Sequence, residues 1–159
     1  MKIPEPSRPY IPGYGVPKAK KGMLTWDWID EQMKKATVYW IATVSPEGYP
    51  HAIPTWGIWI GGKLYFGGGE KTRHMRNLMT NSNIVAHLES GQEVIIVEGV
   101  VEVVKFGELD PSFNKQLEEE SIRKYGAYGE GEGANFAVVP RKVIAWTAFL
   151  SNATRFIFE

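Results

Sequence analysis

The chain has 159 residues, a formal net charge of zero at pH 7 and no cysteine. This length suits one domain with its own core, and an apolar share of 43% excludes wholesale disorder. Zero net charge excludes a global attraction to nucleic acid or to an anionic membrane, so any anion must be bound by a local basic cluster. The absence of cysteine excludes disulfides and thiolate chemistry.

The first 22 residues are predicted to form an extended arm that precedes a single domain over residues 23–159. The arm contains five of the ten prolines, and proline fixes φ and removes a backbone donor. It is therefore expected to form neither a helix nor a central strand. The N-terminus lacks a basic-then-apolar leader pattern, and no apolar run reaches membrane-spanning length, which predicts a cytoplasmic protein without a membrane partner.

Three short helices are predicted from capping residues and from apolar residues that recur every three or four positions. The first begins at Thr25, and its apolar stripe includes Ile29 and Met33. The second follows Thr72 as N-cap, and the third begins at Asp110-Pro111 and ends near Gly126. The predicted buried face of the second helix consists of Met75, Leu78 and Met79.

The remaining segments read as strands that are mostly antiparallel. They span residues 39–45, 51–60, 64–67, 84–89, 94–105, 136–150 with an interruption around Pro140, and 155–158. Residues 94–105 are apolar at nearly every position, which predicts a strand that is covered on both faces. A glycine-rich loop is predicted over residues 126–133. The pattern indicates a mainly β domain, a compact barrel with a few short helices, although a β-sandwich fits it nearly as well.

The most informative segment is Phe66–Leu78, in which a strand ends, glycines follow and a helix begins. Lys71, Thr72, Arg73 and Arg76 surround the first turn of that helix. Unpaired amides and the helix dipole favour an anion at a helix N-terminus, and arginine adds donors that match phosphate oxygens. The segment therefore predicts a phosphate site, with a solvated charged turn as the alternative. It is not a nucleotide P-loop, because Glu70 separates the glycines from Lys71 and the required glycine spacing is absent.

No metal site and no catalytic side chain are predicted. His51, His74 and His87 lack helical i, i+4 spacing and have no cysteine partners. No Ser-His-Asp or paired-carboxylate arrangement can be inferred from the order of the residues.

Three segments carry a resemblance to a known family. The run 39–56 (YWIATVSPEGYPHAIPTW) resembles the opening hairpin of the pyridoxamine 5'-phosphate oxidase-like, FMN-binding split β-barrels. Residues 71–78 (KTRHMRNL) are similar to the phosphate segment of these proteins. Residues 153–158 (ATRFIF) are similar to the terminus of the branch that includes deazaflavin-dependent reductases, with Phe156 where tryptophan is more usual. The resemblance covers residues 25–159, whereas the arm has no counterpart in the family core.

The resemblance implies a split β-barrel that works as a homodimer, with FMN or, alternatively, a deazaflavin coenzyme in a groove between the subunits. The implied cofactor-binding residues are Pro54, Thr55 and Trp56 against the ring, Lys71, Thr72, Arg73 and Arg76 around the phosphate, Asn77 supporting that turn, and Arg155 approaching the ring from the partner chain. The implied activity is hydride transfer between the ring and a small-molecule substrate. A non-catalytic flavin- or haem-binding carrier or sensor is the alternative, and nucleic acid is not an expected partner.

Overall fold

The computed structural model describes residues 1–105, 108–128 and 133–159, so part of the predicted glycine-rich loop, residues 129–132, lies outside the described residues. The described elements are, in chain order, α1 (Trp26–Lys35), β1 (Tyr39–Val44), β2 (Pro50–Thr55), β3 (Ile58–Ile60), β4 (Lys63–Gly68), α2 (Arg73–Thr80), β5 (Asn83–His87), β6 (Val94–Val104), α3 (Pro111–Tyr125), β7 (Ala134–Trp146) and β8 (Thr154–Ile157).

The helix boundaries follow the capping signals of the sequence. The Thr25 side chain accepts a hydrogen bond from the Trp28 N–H at the start of α1. The Asp110 carboxylate accepts from the N–H groups of Ser112 and Phe113 at the start of α3, and Gly126 ends that helix with a left-handed φ of 69°. These predictions are confirmed.

The strands form one curled antiparallel sheet in the order β2-β1-β5-β6-β7-β4-β3, and β8 pairs with β7 beside this path. Because β2 and β3 follow each other in the chain but lie at opposite ends of the sheet, the sheet must curl until its two ends approach. This is the predicted mainly β, split-barrel architecture. The long strand β7 pairs with β4 through its first half and with β8 through its second half.

The single strand predicted over residues 51–60 is wrong, because the chain turns a corner at Trp56-Gly57. Residues before the corner pair with β1, and residues after it pair with β4. A Cβ on Gly57 would lie 2.8 Å from Leu64 Cδ1 and 3.0 Å from the Tyr65 carbonyl oxygen, so a larger residue here would require both neighbours to shift. The predicted turn at Gly61-Gly62 joins β3 to β4 with φ values of 59° and 78°.

Alternate residues of β1, β5, β6, β7 and β8 point into the curl and form the core. Ile41, Ala86, Val97, Val143 and Phe156 are each at most 1% exposed. α1 packs its buried Ile29 and Met33 against this core, and the indole N–H of Trp59 donates to Asp30 Oδ1 at 2.8 Å. The opposite side chains of the same strands therefore form an outer face, which is half-buried.

Two further expectations about strands are corrected by the structure. β7 continues without interruption through Pro140, which faces Gly99 where the register between β6 and β7 shifts. A register shift is one of the places where a strand accommodates a proline. The strand β6 was expected to be covered on both faces along its length. Val103 is 60% exposed, so this cover ends before the last residues of the strand.

The buried face of α2 also differs from the prediction. Met79 is 65% exposed, whereas His74 and Asn77 are buried beside Met75 and Leu78. The polar pair is buried because α2 lies against β1 and β2, where Asn77 Nδ2 donates to the Thr43 hydroxyl at 3.0 Å.

The proline-rich arm is attached to β8. Ser7 exchanges two backbone hydrogen bonds with Arg155, at 2.7 and 2.8 Å. The Arg8 guanidinium donates to the carbonyl oxygens of Ala19, Lys21, Ser151 and Ala153. Tyr10 and Tyr14 remain exposed, so arginine rather than the tyrosines provides most of the polar attachment.

Candidate functional site

A pocket of about 360 Å³ opens at the corner between β2 and β3. Its size is within the range of small-molecule sites. Its described lining is aromatic, glycine-rich and free of charged side chains, and consists of Thr55–Ile58, Tyr65–Gly69, Val104, Leu117, Ser121, Tyr125, Tyr128 and Gly133–Phe136. Two of the nine predicted site residues, Thr55 and Trp56, belong to this lining.

Trp56 provides a rigid wall at the mouth of this pocket. Its indole stacks on the Tyr125 ring with centroids 4.6 Å apart and planes inclined by 6°, while 63% of the residue remains exposed. The Tyr125 hydroxyl accepts from the Gly57 N–H at 3.0 Å and lies 2.8 Å from the Gly57 carbonyl oxygen. Tyr125 fixes the orientation of the indole, and the other face of the indole is free to stack on a planar ring of a ligand. Pro54, the third predicted ring contact, is exposed one residue before Thr55 on β2.

The N-terminus of α2 begins at the edge of the same pocket. Gly69 lines the pocket, and its carbonyl oxygen accepts from both the N–H and the hydroxyl of Thr72, at 2.9 and 2.8 Å. The Thr72 side chain therefore makes no capping bond to the helix, and the first turn of α2 contains no acidic residue. The first amides of α2 are left available to a ligand.

Three cations surround this helix start. Lys71, Arg73 and Arg76 are exposed, and none of them forms a salt bridge with another described residue. Basic residues at a helix N-terminus oppose the helix dipole unless an anion lies between them. Free amides, a non-capping hydroxyl and unpaired cations together fit a phosphate group.

Asn77 has a different position from the residues above. It is 3% exposed and its side-chain amide bonds Thr43 inside the curl, so it joins α2 to β1 rather than lining the helix N-terminus. This contact supports the helix that carries Arg73 and Arg76.

Arg155 lies on β8, whereas Pro54 lies on β2 at the other end of a row of paired strands. The strand registers define one row across the outer face of the sheet, in which each residue faces the next: Pro54, Trp40, His87, Ile96, Ile144 and Arg155. Five strand spacings of about 4.8 Å separate the two ends of this row, or about 24 Å along the sheet. Four strands, β1, β5, β6 and β7, therefore lie between Pro54 and Arg155 along the sheet of one chain.

His74 is the buried titratable group nearest the predicted phosphate site. Its Nε2 lies 3.5 Å from the Thr72 hydroxyl, and it is 9% exposed. Burial lowers the pKa of His74, and the nearby His51 lowers it further. The imidazole is therefore kept neutral more readily than a free histidine, which makes it a packing and hydrogen-bonding group rather than an added cation.

A partly buried polar network links α3 to the C-terminal end of α1 and to β1. The Lys124 ammonium donates to the Ala36 carbonyl oxygen at 2.7 Å and to the Tyr39 hydroxyl at 2.8 Å. Burial lowers the pKa of Lys124 to about 8 and raises that of Tyr39. This network fixes the helix that carries Tyr125, one residue further along the chain.

Sequence reasoning missed Tyr125 and the glycines Gly67 and Gly68 as pocket residues. The glycine run was visible, but only the pairing of β4 with β7 shows that the strand end lines a pocket. No signal in the sequence joins Tyr125 to Trp56, because 68 residues separate Tyr125 from the corner glycine that it bonds.

Across the described residues, a single antiparallel sheet of eight strands that curls until its ends approach, with three short helices, is the split β-barrel class of fold. Residues 26–148 match the family model for pyridoxamine 5'-phosphate oxidase. The chain belongs to this family, as the resemblance predicted.

Solved structures show the same fold at low sequence identity. The heme storage protein HutZ from Vibrio cholerae has a TM-score of 0.59 at 17% identity, over 74% of this chain and 91% of that one. An FAD-binding protein from Mycobacterium smegmatis has a TM-score of 0.54 at 16% identity, over 86% and 98%. An F420 reductase has a TM-score of 0.53 at 22% identity, over 71% and 94%. No curated protein matches the sequence.

No helix in the described ranges is both long and apolar enough to cross a membrane.

Proposed function

We propose that this protein binds FMN, or alternatively a deazaflavin coenzyme, and acts as an oxidoreductase on a small-molecule substrate. The observation that carries the proposal is the open N-terminus of α2 at the edge of an uncharged aromatic pocket. A phosphate group and a flat ring joined by a short chain match these two neighbouring environments. The family membership and the similar FAD-binding protein and F420 reductase support the same class of ligand.

Each part of the site has a separate task in this proposal. Lys71, Arg73 and Arg76 neutralise the phosphate while the first amides of α2 bind its oxygens. Trp56 and the backbone near Thr55 orient the ring. When bound, the ring supplies the hydride chemistry, and the protein supplies orientation and electrostatics.

We further propose that the protein works as a homodimer that pairs the outer faces of two sheets. The row from Pro54 to Arg155 is half-buried over its centre, where Trp40, Ile96 and Ile144 leave apolar surface uncovered in one chain. A two-fold axis near the middle of this row would set Arg155 of each chain against Pro54 of the other. In this arrangement Arg155 would approach the ring from the partner subunit.

A haem-binding carrier is the second candidate, favoured by the similarity to the heme storage protein. Such a site would need an axial ligand, for which His51 on β2 and His74 on α2 are the candidates.

Absorption titration of the purified protein with FMN, the deazaflavin coenzyme and haem separates these candidates. Saturable binding of FMN or deazaflavin at one site per chain, followed by turnover of the reduced cofactor with a substrate, is the expected result. Binding of a flavin without turnover would support a carrier, and a Soret band with haem alone would overturn the flavin proposal.

A further inference from the structure

The row across the outer face of the sheet continues beyond Arg155 into the N-terminal arm. Ser7 pairs with Arg155 as one antiparallel bridge, through the two backbone bonds of 2.7 and 2.8 Å. Ser7 of the arm thus pairs with β8 on the edge that β7 does not occupy. Its partner there, Arg155, is the residue that the C-terminal strand contributes to the predicted site.

The Ser7 side chain also holds the Arg155 guanidinium. Its hydroxyl accepts from Arg155 Nε at 3.2 Å and donates to the Arg155 carbonyl oxygen at 3.2 Å. The terminal nitrogens of Arg155 form no hydrogen bond with the described residues. A guanidinium fixed through Nε presents its two terminal nitrogens in a fixed plane, which is the geometry that recognises an anionic or carbonyl-bearing edge.

The position of Ser7 is itself fixed by its neighbours. Arg8 donates to four carbonyl oxygens at 2.8–3.0 Å, two in the arm and two in the loop before β8. Pro9 is buried, and the Leu24 N–H donates to the Thr154 hydroxyl at 2.8 Å. Residues that follow Ser7 therefore tie the arm to β8 and to the loop before it, and Ser7 cannot slide along the strand without breaking these bonds.

We propose that Ser7 is a positioning residue for Arg155, and that the N-terminal arm of each chain is therefore part of the cofactor site of its partner. This inference rests on the proposed function, because it requires a flavin-type cofactor and the paired sheets. The arm restricts the rotamers of Arg155 before the cofactor binds, so that less side-chain entropy is lost on binding. At this end of the site, Arg155 would meet an edge of the cofactor ring that accepts hydrogen bonds and gains negative charge on reduction.

The test compares Ser7→Ala, Ser7→Thr, Arg155→Ala and the double variant Ser7→Ala/Arg155→Ala with the wild type. Lys2→Ala, which changes an exposed side chain of the same arm, is the control. The probe is FMN, or the deazaflavin coenzyme if FMN does not bind. The measurements are the Kd and the reduction potential of the bound cofactor.

Ser7→Ala is expected to weaken binding by a factor of about 3 to 10, the value of one ordinary hydrogen bond. It should also make the potential more negative, because a less ordered cation stabilises the reduced ring less well. Ser7→Thr should restore both values, and Ser7→Ala should add nothing in the Arg155→Ala background. A purely structural role of the arm would change stability without changing the potential.

Two outcomes would contradict different proposals. If the wild type binds the cofactor and Ser7→Ala leaves both Kd and potential unchanged, or adds its full effect to Arg155→Ala, the role of Ser7 is wrong and the proposed function stands. If the wild type binds neither cofactor, the proposed function is wrong and this inference falls with it.

Discussion

The indole of Trp56 lies flat on the ring of Tyr125, with the two centroids 4.6 Å apart. This contact joins the corner between β2 and β3 to the last residue of α3, and it places an aromatic wall at the mouth of the pocket. The phenol of Tyr125 is also the hydrogen-bond partner of the corner itself, through Gly57.

Tyr125→Phe is expected to reduce the free energy of unfolding by about 1–2 kcal/mol, because the Gly57 N–H loses its partner while the stacked ring is retained. Urea unfolding measures this loss. Phe113→Leu, an apolar change elsewhere on α3, is a comparison for general effects on helix packing. An unchanged stability of Tyr125→Phe would show that the corner does not depend on the phenol.

The double variant Arg73→Ala/Arg76→Ala is expected to weaken FMN binding by about 2–4 kcal/mol in total, since charge-assisted bonds contribute about 1.5–3 kcal/mol each and are not fully additive. Isothermal titration at constant ionic strength measures the change. Arg141→Ala removes an exposed cation on β7 and should have little effect. Unchanged affinity of the double variant would remove the phosphate assignment from α2.

Ile96→Glu is expected to convert the proposed homodimer into monomers, because it buries an unpaired carboxylate in the middle of the paired outer faces. Sedimentation velocity measures the oligomeric state. Ile122→Glu makes the same change at an exposed position of α3 and should leave the state unaltered. A wild-type protein that sediments as a monomer at micromolar concentration would contradict the paired-sheet arrangement.

Stability should fall as the pH decreases from 6.5, the ordinary pKa of histidine, because the pKa of His74 is lowered in the folded state. In this window the unfolded chain binds a proton at His74 more readily than the folded protein, so acid favours unfolding. Denaturant unfolding between pH 5 and pH 8, compared with His74→Gln, measures the effect. The variant should lose less stability over this interval, and an identical pH slope in both proteins would contradict the assignment.

Lys124 is expected to affect stability at alkaline pH. Its pKa of about 8 in the folded protein lies below its ordinary value of 10.5, so the folded protein loses this proton first. The contribution of Lys124 to stability therefore rises with pH between about 8 and 10.5. Lys124→Met should flatten the unfolding free energy over this window. The raised pKa of Tyr39 acts in the other direction at higher pH, where deprotonation of a buried phenol destabilises the fold.

Local signals were sufficient to predict most of the elements. Thr25, Asp110 and Gly126 marked helix ends because capping depends on one side chain and the adjacent backbone. The prediction of one strand over residues 51–60 was wrong because β-forming residues continue across the corner, while Gly57 is favoured there by the close approach of Leu64 and Tyr65. Met79 was assigned to the core because helical spacing does not distinguish two adjacent faces, and the polar contact of Asn77 with Thr43 decided the orientation of α2.

By itself the sequence determined the β-rich composition of the domain, the caps of its helices and the basic cluster after the glycine run, because each depends on residues that are neighbours in the chain. Only the tertiary structure decided which of these features meet. It brought Tyr125 onto Trp56 and put the start of α2 at the edge of the pocket. It also placed four strands between Arg155 and Pro54 along the sheet and attached the arm beside Arg155. These relationships come from strand order and register, which depend on how distant segments pair and curl around a common core.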